Sequence, residues 1–302
     1  MPTRTRFAPD RQLSVRMGLT VFLLGLVYVA FVAVLIVLIK SVVLIVLIAG
    51  GLLFAQYWFS DRIALYAMGG KEVSPAQAPA LHAVIDRLCA LADMPKPRVA
   101  VADIDLPNAF ATGRSPKRAV VCVTTGLLRR LEPEELDGVL AHELSHVAHR
   151  DVAVMTVASF LGVLAGLVAR VALYSGMLGG RGRRNNQDNN FVLVALVVTV
   201  VSAVVYAVSF LLIRALSRYR ELAADRAGAI LTGSPAALAS ALTKVSGQIA
   251  TIPTRDLRAA QAFNAFFFAP ALGAQVSLAT LLSTHPSLQQ RLDRLADLSR
   301  QL

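Results

Sequence analysis

Cysteine is nearly missing from this chain: two residues in 302, Cys89 and Cys122, with no CxxC spacing. That excludes a disulfide framework and a thiolate metal site, and reads both thiols as reduced core filler. Charge is scarce as well, with Asp, Glu, Lys and Arg making up 16% of residues, and there is a single tryptophan. Histidine is sparse: His82, His142, His146, His149 and His285 are the full set of five. What fills the sequence is apolar side chain, 56% hydrophobic with a mean hydropathy of +0.60. This is the composition of a membrane protein.

Acids are the remaining shortage, 19 against 30 Lys and Arg, for a net charge of +11. The basic residues are dispersed or flank apolar runs, without interleaved aromatics or a nucleic-acid motif. Attraction to anionic lipid headgroups accounts for them, and no nucleic-acid partner is expected.

Four apolar runs organise the chain. Arg4, Arg6, Arg11 and Arg16, against Asp10, precede Met17–Ile39. As a helix this run is roughly 35 Å long, enough for a bilayer and too long for a signal-peptide core. With no clear small-residue cleavage site, it reads as a retained anchor. Lys40 and Ser41 separate it from a second run, Val42–Phe59, in which Tyr57 and Trp58 are interfacial aromatics. The arginine excess before the first run puts the N-terminus, and the segment after residue 60, in the cytoplasm. The third run is Val152–Ala169 and the fourth Phe191–Ile213. The loop between them carries Arg170, Arg181, Arg183 and Arg184, against the positive-inside tendency of a spanning pair. The third run therefore either spans or packs as a re-entrant hairpin; both arrangements leave 60–150 and 214–302 on one side. The expected division is a membrane hairpin over 1–60, half of a soluble domain over 61–151, a second hairpin over 152–213, and the other half over 214–302. Because an apolar run directly follows the motif helix described below, the site should lie close to the membrane surface.

Within the soluble halves, Ala76–Ala92 has helical periodicity through Leu81, Val84, Ile85 and Leu88, and Met94-Pro95-Lys96-Pro97 ends it. Arg98–Ile104 alternates as a short strand, and Ala119–Thr124 is a stronger one, rich in β-branched residues. Pro107–Gly113 reads as a loop or edge segment. Pro133, Glu134 and Glu135 then open a helix in the expected manner, proline in the first turn and acids at the positive end of the dipole.

That helix carries His142-Glu143-Leu144-Ser145-His146. Residues four apart share a helix face, so the two imidazoles can reach one metal and make half of a tetrahedral zinc site. Glu143 lies further round, beside the stripe of Leu136, Val139, Leu140 and Val147. It is placed to act as a base on water at the metal, not as a ligand. His149 is roughly 10.5 Å along the axis from His142, too far for a third ligand on one unbroken helix. The metzincin glycine and third-histidine spacing are also absent, so His149 reads as a surface or supporting residue. The third ligand should come from the segment after the fourth run. There Glu221 and Asp225 are four apart, with the small Ala223 and Ala224 between them. Glu221 is assigned as the third ligand and Asp225 as the carboxylate that orients a ligand imidazole, that of His142. Glu134, Glu135 and Asp151 are the fallback ligands.

Taken together, Pro107–Gly113, Thr125-Gly126-Leu127-Leu128, His142–His146, Ser217-Arg218 through Glu221 to Asp225, and Thr284-His285-Pro286 resemble the HtpX-type membrane zinc metalloproteases. These are bacterial relatives of the CAAX prenyl endoprotease. Two positions depart from the family pattern: Leu222 stands where an aromatic is common and Ser287 where a second proline is. The resemblance implies a mainly α integral membrane protein, with four apolar helices and a cytoplasmic gluzincin-type α+β protease domain containing a small sheet. It implies one zinc per chain on His142, His146 and Glu221, with Glu143 as catalytic base. It also implies cleavage of damaged or misfolded membrane proteins at the cytoplasmic side of the bacterial inner membrane. Asn108, Ala109, Phe110 and Ala111, with the strand Ala119–Thr124, would hold the substrate backbone, as an exposed strand edge does by adding the peptide as one more strand. His285, at the entrance of a helix with Leu288, Leu292 and Leu295 on one face, is expected to steady the oxyanion of the tetrahedral intermediate. A non-catalytic membrane scaffold or chaperone is the alternative, but it gives no reason for Glu143 between two histidines. A transporter would need ionisable groups inside the runs, which are nearly free of them.

Overall fold

The computed structural model describes residues 11–39, 42–151, 186–251 and 286–302, together with 154, 155, 160, 164–166, 168 and 169. Arg4 and Arg6, Lys40, most of the third apolar run, the arginines at 170–184, and His285 lie outside the described residues. The chain divides into two compact units.

The apolar unit comprises Val15–Trp58 and Val154–Leu216. Helix α1 is Arg11–Ile39 and α2 is Val42–Trp58. Leu24, Phe31 and Leu35 of α1 share a buried cluster with Phe160, Leu164 and Ala165, and with Val198 and Val205 of a long later helix. Leu26, Val29, Leu196, Val204 and Leu211 point outward and are exposed. A helix apolar on all sides with only part of it buried suits a hydrocarbon solvent. Among the described residues two helical stretches are long and apolar enough to cross a membrane, Val15–Leu35 and Leu193–Thr232. The 17 residues of α2 are equally apolar but reach only about 26 Å, short of the ~30 Å hydrocarbon core unless the bilayer thins locally.

The other unit takes in Phe59–Ala153 and Ser217–Leu302. Its elements are α3 (Ser60–Ala67), β1 (Gly70–Glu72), α4 (Pro79–Ala92), β2 (Arg98–Ala102), β3 (Ala109–Thr112), β4 (Val120–Thr124), α5 (Thr125–Leu128) and α6 (Pro133–Ala148). The long helix α7 (Asn186–Thr232), which belongs to this unit from Ser217 onward, then α8 (Pro235–Thr251) and α9 (Leu288–Ser299), complete the set. The sheet order is β1-β2-β4-β3, with β2 and β4 parallel and the outer pairs antiparallel. Every residue of β4 is buried, as expected of a β-branched central strand.

Three differences from the sequence reading have plain causes. Strand β1, Gly-Lys-Glu, is too short and polar to show a pattern; it forms because Gly70–Glu72 pair with Ala100–Ala102. The edge segment forms strand β3, which stands at the end of the sheet order beside β4 among the described residues. Because β2 and β3 flank β4 on both sides, Ala119–Thr124 has no free edge, and its expected part in holding a peptide is corrected. Beyond Ile213, where the fourth apolar run ends, α7 continues unbroken through Glu221 and Asp225 to Thr232.

Helix α6 starts where the acids and proline placed it. Glu132 and Glu135 form a reciprocal capping box, with Pro133 in the first turn. One face packs on β3 and another on α8, burying Val139, Leu140, Ala141 and Leu144 completely. Glycine sets its distance to α7: a Cβ on Gly228 would stand 2.8 Å from the backbone nitrogen of His142.

Candidate metal centre

Helix α6 presents His142 and His146 from successive turns, and α7 crosses them at Gly228 and brings Glu221 opposite. His142 Nε2 lies 3.2 Å from His146 Nε2. Glu221 faces both, Oε2 at 3.6 Å from His142 Nε2 and Oε1 at 3.5 Å from His146 Nε2. All three side chains are buried. Tetrahedral ligands at zinc bond lengths of 2.0–2.1 Å stand about 3.3–3.4 Å apart, and one ligand atom from each of the three residues lies within 4.8 Å of the others, close enough for a single ion.

The protons make the case sharper. His142 Nδ1 lies 3.0 Å from Asp225 Oδ1, and His146 Nδ1 lies 2.7 Å from Asp151 Oδ2. Carboxylates only accept, so each Nδ1 carries its ring's proton and each Nε2 keeps a lone pair. Two nitrogen lone pairs and a carboxylate thus converge on one buried point, an arrangement that can hold a metal ion. The same pull shows in His142: burial lowers its pKa, but Asp225 and Glu221 outweigh burial and raise it to about 9. For His146 burial dominates and the pKa falls, despite Asp151.

Each supporting carboxylate is itself braced by a buried arginine. Arg291 of α9 grips Asp225 with two bonds, Nε to Oδ2 at 2.7 Å and Nη2 to Oδ1 at 2.6 Å. Its Nη1 stands 4.0 Å from Glu221 Oε2. Arg220 Nε lies 3.0 Å from Asp151 Oδ2. The bidentate, charge-assisted Arg291–Asp225 contact is of the strong kind, and both arginines offset charge on carboxylates that would otherwise be costly to bury.

Glu143 is buried on the strand side of α6. Burial raises its pKa to about 7; His142 pulls it down, Glu221 pushes it up, and the Ala111 N–H and Arg291 pull it down. A carboxyl poised near neutrality beside the ligand face suits a general base. The Ala111 contact also ties Glu143 to β3, the edge strand. Of the four residues expected to hold a substrate backbone, Ala111 is half-buried and Asn108, Ala109 and Phe110 are buried. His149 bonds through Nδ1 to Ser145 O on its own helix at 2.8 Å, away from the ligand set. His82 Nε2 bonds to Val73 O at 3.0 Å.

Asp151 had been weighed only as a fallback ligand, and Arg220 and Arg291 are absent from the sequence reading. A signal existed for Arg291: it falls at the centre of the stripe formed by Leu288, Leu295 and Leu298, where a solvated arginine does not belong. It is 1% exposed.

Residues 75–299 match the profile of Peptidase family M48. The chain belongs to that family. As an M48 member it is a metalloprotease. The relatives agree over nearly the full length. "Protease HtpX homolog 1" of Streptomyces coelicolor is 66% identical over 299 residues, covering 99% of this peptidase and 97% of the relative. "Protease HtpX homolog" of Moorella thermoacetica is 54% identical, covering 99% and 98%. Among solved structures, the crystal structure of S. mikatae Ste24p matches with a TM-score of 0.53 at 16% identity, over 95% of this peptidase and 67% of that chain. At that identity the likeness speaks for the fold alone.

Proposed function

We propose that this M48 peptidase is a zinc endopeptidase embedded in the bacterial inner membrane that cleaves misfolded or damaged membrane proteins at the cytoplasmic face. The observation that carries the zinc assignment is the convergence of the His142, His146 and Glu221 lone pairs at 3.2, 3.5 and 3.6 Å. Zinc bound there would supply Lewis acidity, polarising the scissile carbonyl and acidifying water. The rest of the work falls to the chain. Asp225 and Asp151 hold both imidazoles with Nε2 directed at the ion, and Arg291 and Arg220 keep those carboxylates ionised and in place. Glu143 accepts the proton of the attacking water and delivers it to the leaving amine nitrogen. Strand β3 is the candidate backbone-binding edge, because it stands last in the sheet order among the described residues and its Ala111 N–H meets Glu143. His285 is proposed as the oxyanion donor from its position before Pro286 and α9 in the sequence.

The membrane assignment is supported by the two long apolar helices; a four-span topology adds α2 and the third run. The excess of arginine before the first apolar run supports a cytoplasmic site. Glu143→Gln tests the mechanism: purified in detergent, it should retain zinc and lose peptide hydrolysis by at least about 10²–10⁴-fold. Retained turnover would remove Glu143 from the reaction, and lost zinc would make it a ligand. The same inactive variant should capture unfolded membrane proteins in cells, and capture of soluble proteins alone would contradict the substrate class.

A further inference from the structure

Helix α3 is apolar on two opposite faces. Ala64, Leu65 and Met68 turn inward and are buried in the core of the site-bearing unit. Asp61 is tied by an ion pair to Arg98 of β2, which fixes the helix's roll. The opposite face carries Phe59, Ile63 and Tyr66, spaced four and three residues apart, at 40%, 57% and 90% exposure. Arg62 sits between them with its guanidinium 6.0 Å from the centre of the Phe59 ring. Among the described residues of this unit, the other exposed large apolar side chains are Leu91, Ile230 and Leu302, in three separate places. The strip on α3 is therefore a concentration of apolar surface, not scatter.

We propose that α3 lies flat in the headgroup region of the bilayer, with Phe59, Ile63 and Tyr66 in its apolar margin and Arg62 reaching up to lipid phosphates. Lipid, and not a protein partner, is favoured by chain connectivity. The apolar helix α2 ends at Trp58 and α3 begins at Ser60, so a chain leaving hydrocarbon at Trp58 enters α3 within a few ångströms. Composition agrees: a tyrosine with its polar end, a phenylalanine, an aliphatic residue and an arginine suit the membrane interface. The strip from Phe59 to Tyr66 runs about 10 Å along the helix axis, and the residues below it pack on β1 and β3. Docking of α3 would thus fix the edge strand's orientation to the membrane surface and favour segments that emerge from it. That consequence rests on the reading of β3 as the substrate edge, whereas the docking itself does not.

The single tryptophan makes the test direct. In the full-length chain, Trp58→Phe removes the native indole, and either Tyr66→Trp or Leu91→Trp installs one reporter. Each variant is reconstituted into phosphatidylcholine–phosphatidylglycerol vesicles with acyl chains brominated near the carbonyl end, and quenching by bromine is compared with quenching by aqueous iodide. The indole at position 66 should lose most of its emission to bromolipid and resist iodide, and the one at 91 should do the reverse. Equal behaviour at the two positions would overturn the proposal. So would shielding of position 66 from both quenchers in a chain that sediments as a dimer, which would assign the strip to a second copy. None of these readings depends on catalysis, so failure of the docking and failure of the proposed peptidase mechanism are separable.

Discussion

The two sides of the metal centre are built from the same parts over different lengths of chain. On one side His146, Asp151 and Arg220 form a buried series in which the histidine and its carboxylate are five residues apart, joined by the turn at Arg150, whose φ is +58°. On the other, His142, Asp225 and Arg291 come from α6, α7 and α9, and the histidine and its carboxylate are 83 residues apart. The first side orients one ligand as soon as α6 ends correctly and α7 lies beside it. The second does so only when three helices have packed. Stability of the whole unit and geometry of the metal site are therefore coupled through His142 and much less through His146.

The largest expected effect breaks the long-range side at its far end. Arg291→Met leaves Asp225 buried without its cation, and removing one partner of a buried pair costs about 3–5 kcal/mol. A marked fall in melting temperature together with loss of tightly bound zinc should follow; an unchanged melt would show that α9 does not brace the site. Next is the spacing of the helices. Gly228→Ala places a methyl 2.8 Å from the His142 backbone nitrogen, and such overpacking costs about 1–3 kcal/mol. Zinc affinity should drop with stability, and a variant that binds zinc like the parent would mean that α7 can retreat without moving Glu221. The finest comparison sets the two carboxylates against each other. Asp225→Asn and Asp151→Asn should each weaken zinc binding by roughly 10- to 100-fold. Asp225→Asn should lower the melting temperature of the zinc-free protein more than Asp151→Asn, since Asp225 takes two bonds from Arg291 of α9 whereas Asp151 takes a single contact from Arg220. Equal melts would erase the distinction between the two sides.

How much of this was legible beforehand follows from the distances along the chain. His142 with His146, and Glu221 with Asp225, are each four apart on a helix, a spacing that fixes geometry before any tertiary contact forms. Strands β2 and β4 announced themselves through alternation and β-branching. The arginines did not, because their partners are set by packing: Arg220 neighbours Glu221 in sequence yet serves Asp151, and Arg291 looks like an ordinary charge on an amphipathic helix until its place in the apolar stripe is counted. Strand β1 is specified by its neighbour β2 and not by its own residues. The covering of Asn108, Ala109 and Phe110 is likewise a property of the packed unit, invisible in a seven-residue segment. Hydropathy changes at Arg214, but helix propensity does not, and α7 continues into the site.

The central claim is that Glu221 completes a three-ligand centre begun by the two histidines. Zinc per chain, measured on detergent-purified Glu221→Ala beside the parent after dialysis against a moderate chelator, tests it most directly. The account predicts one zinc retained by the parent and little or none by the variant, with hydrolysis lost in step. A variant that holds zinc as tightly as the parent would contradict it and put the third ligand elsewhere.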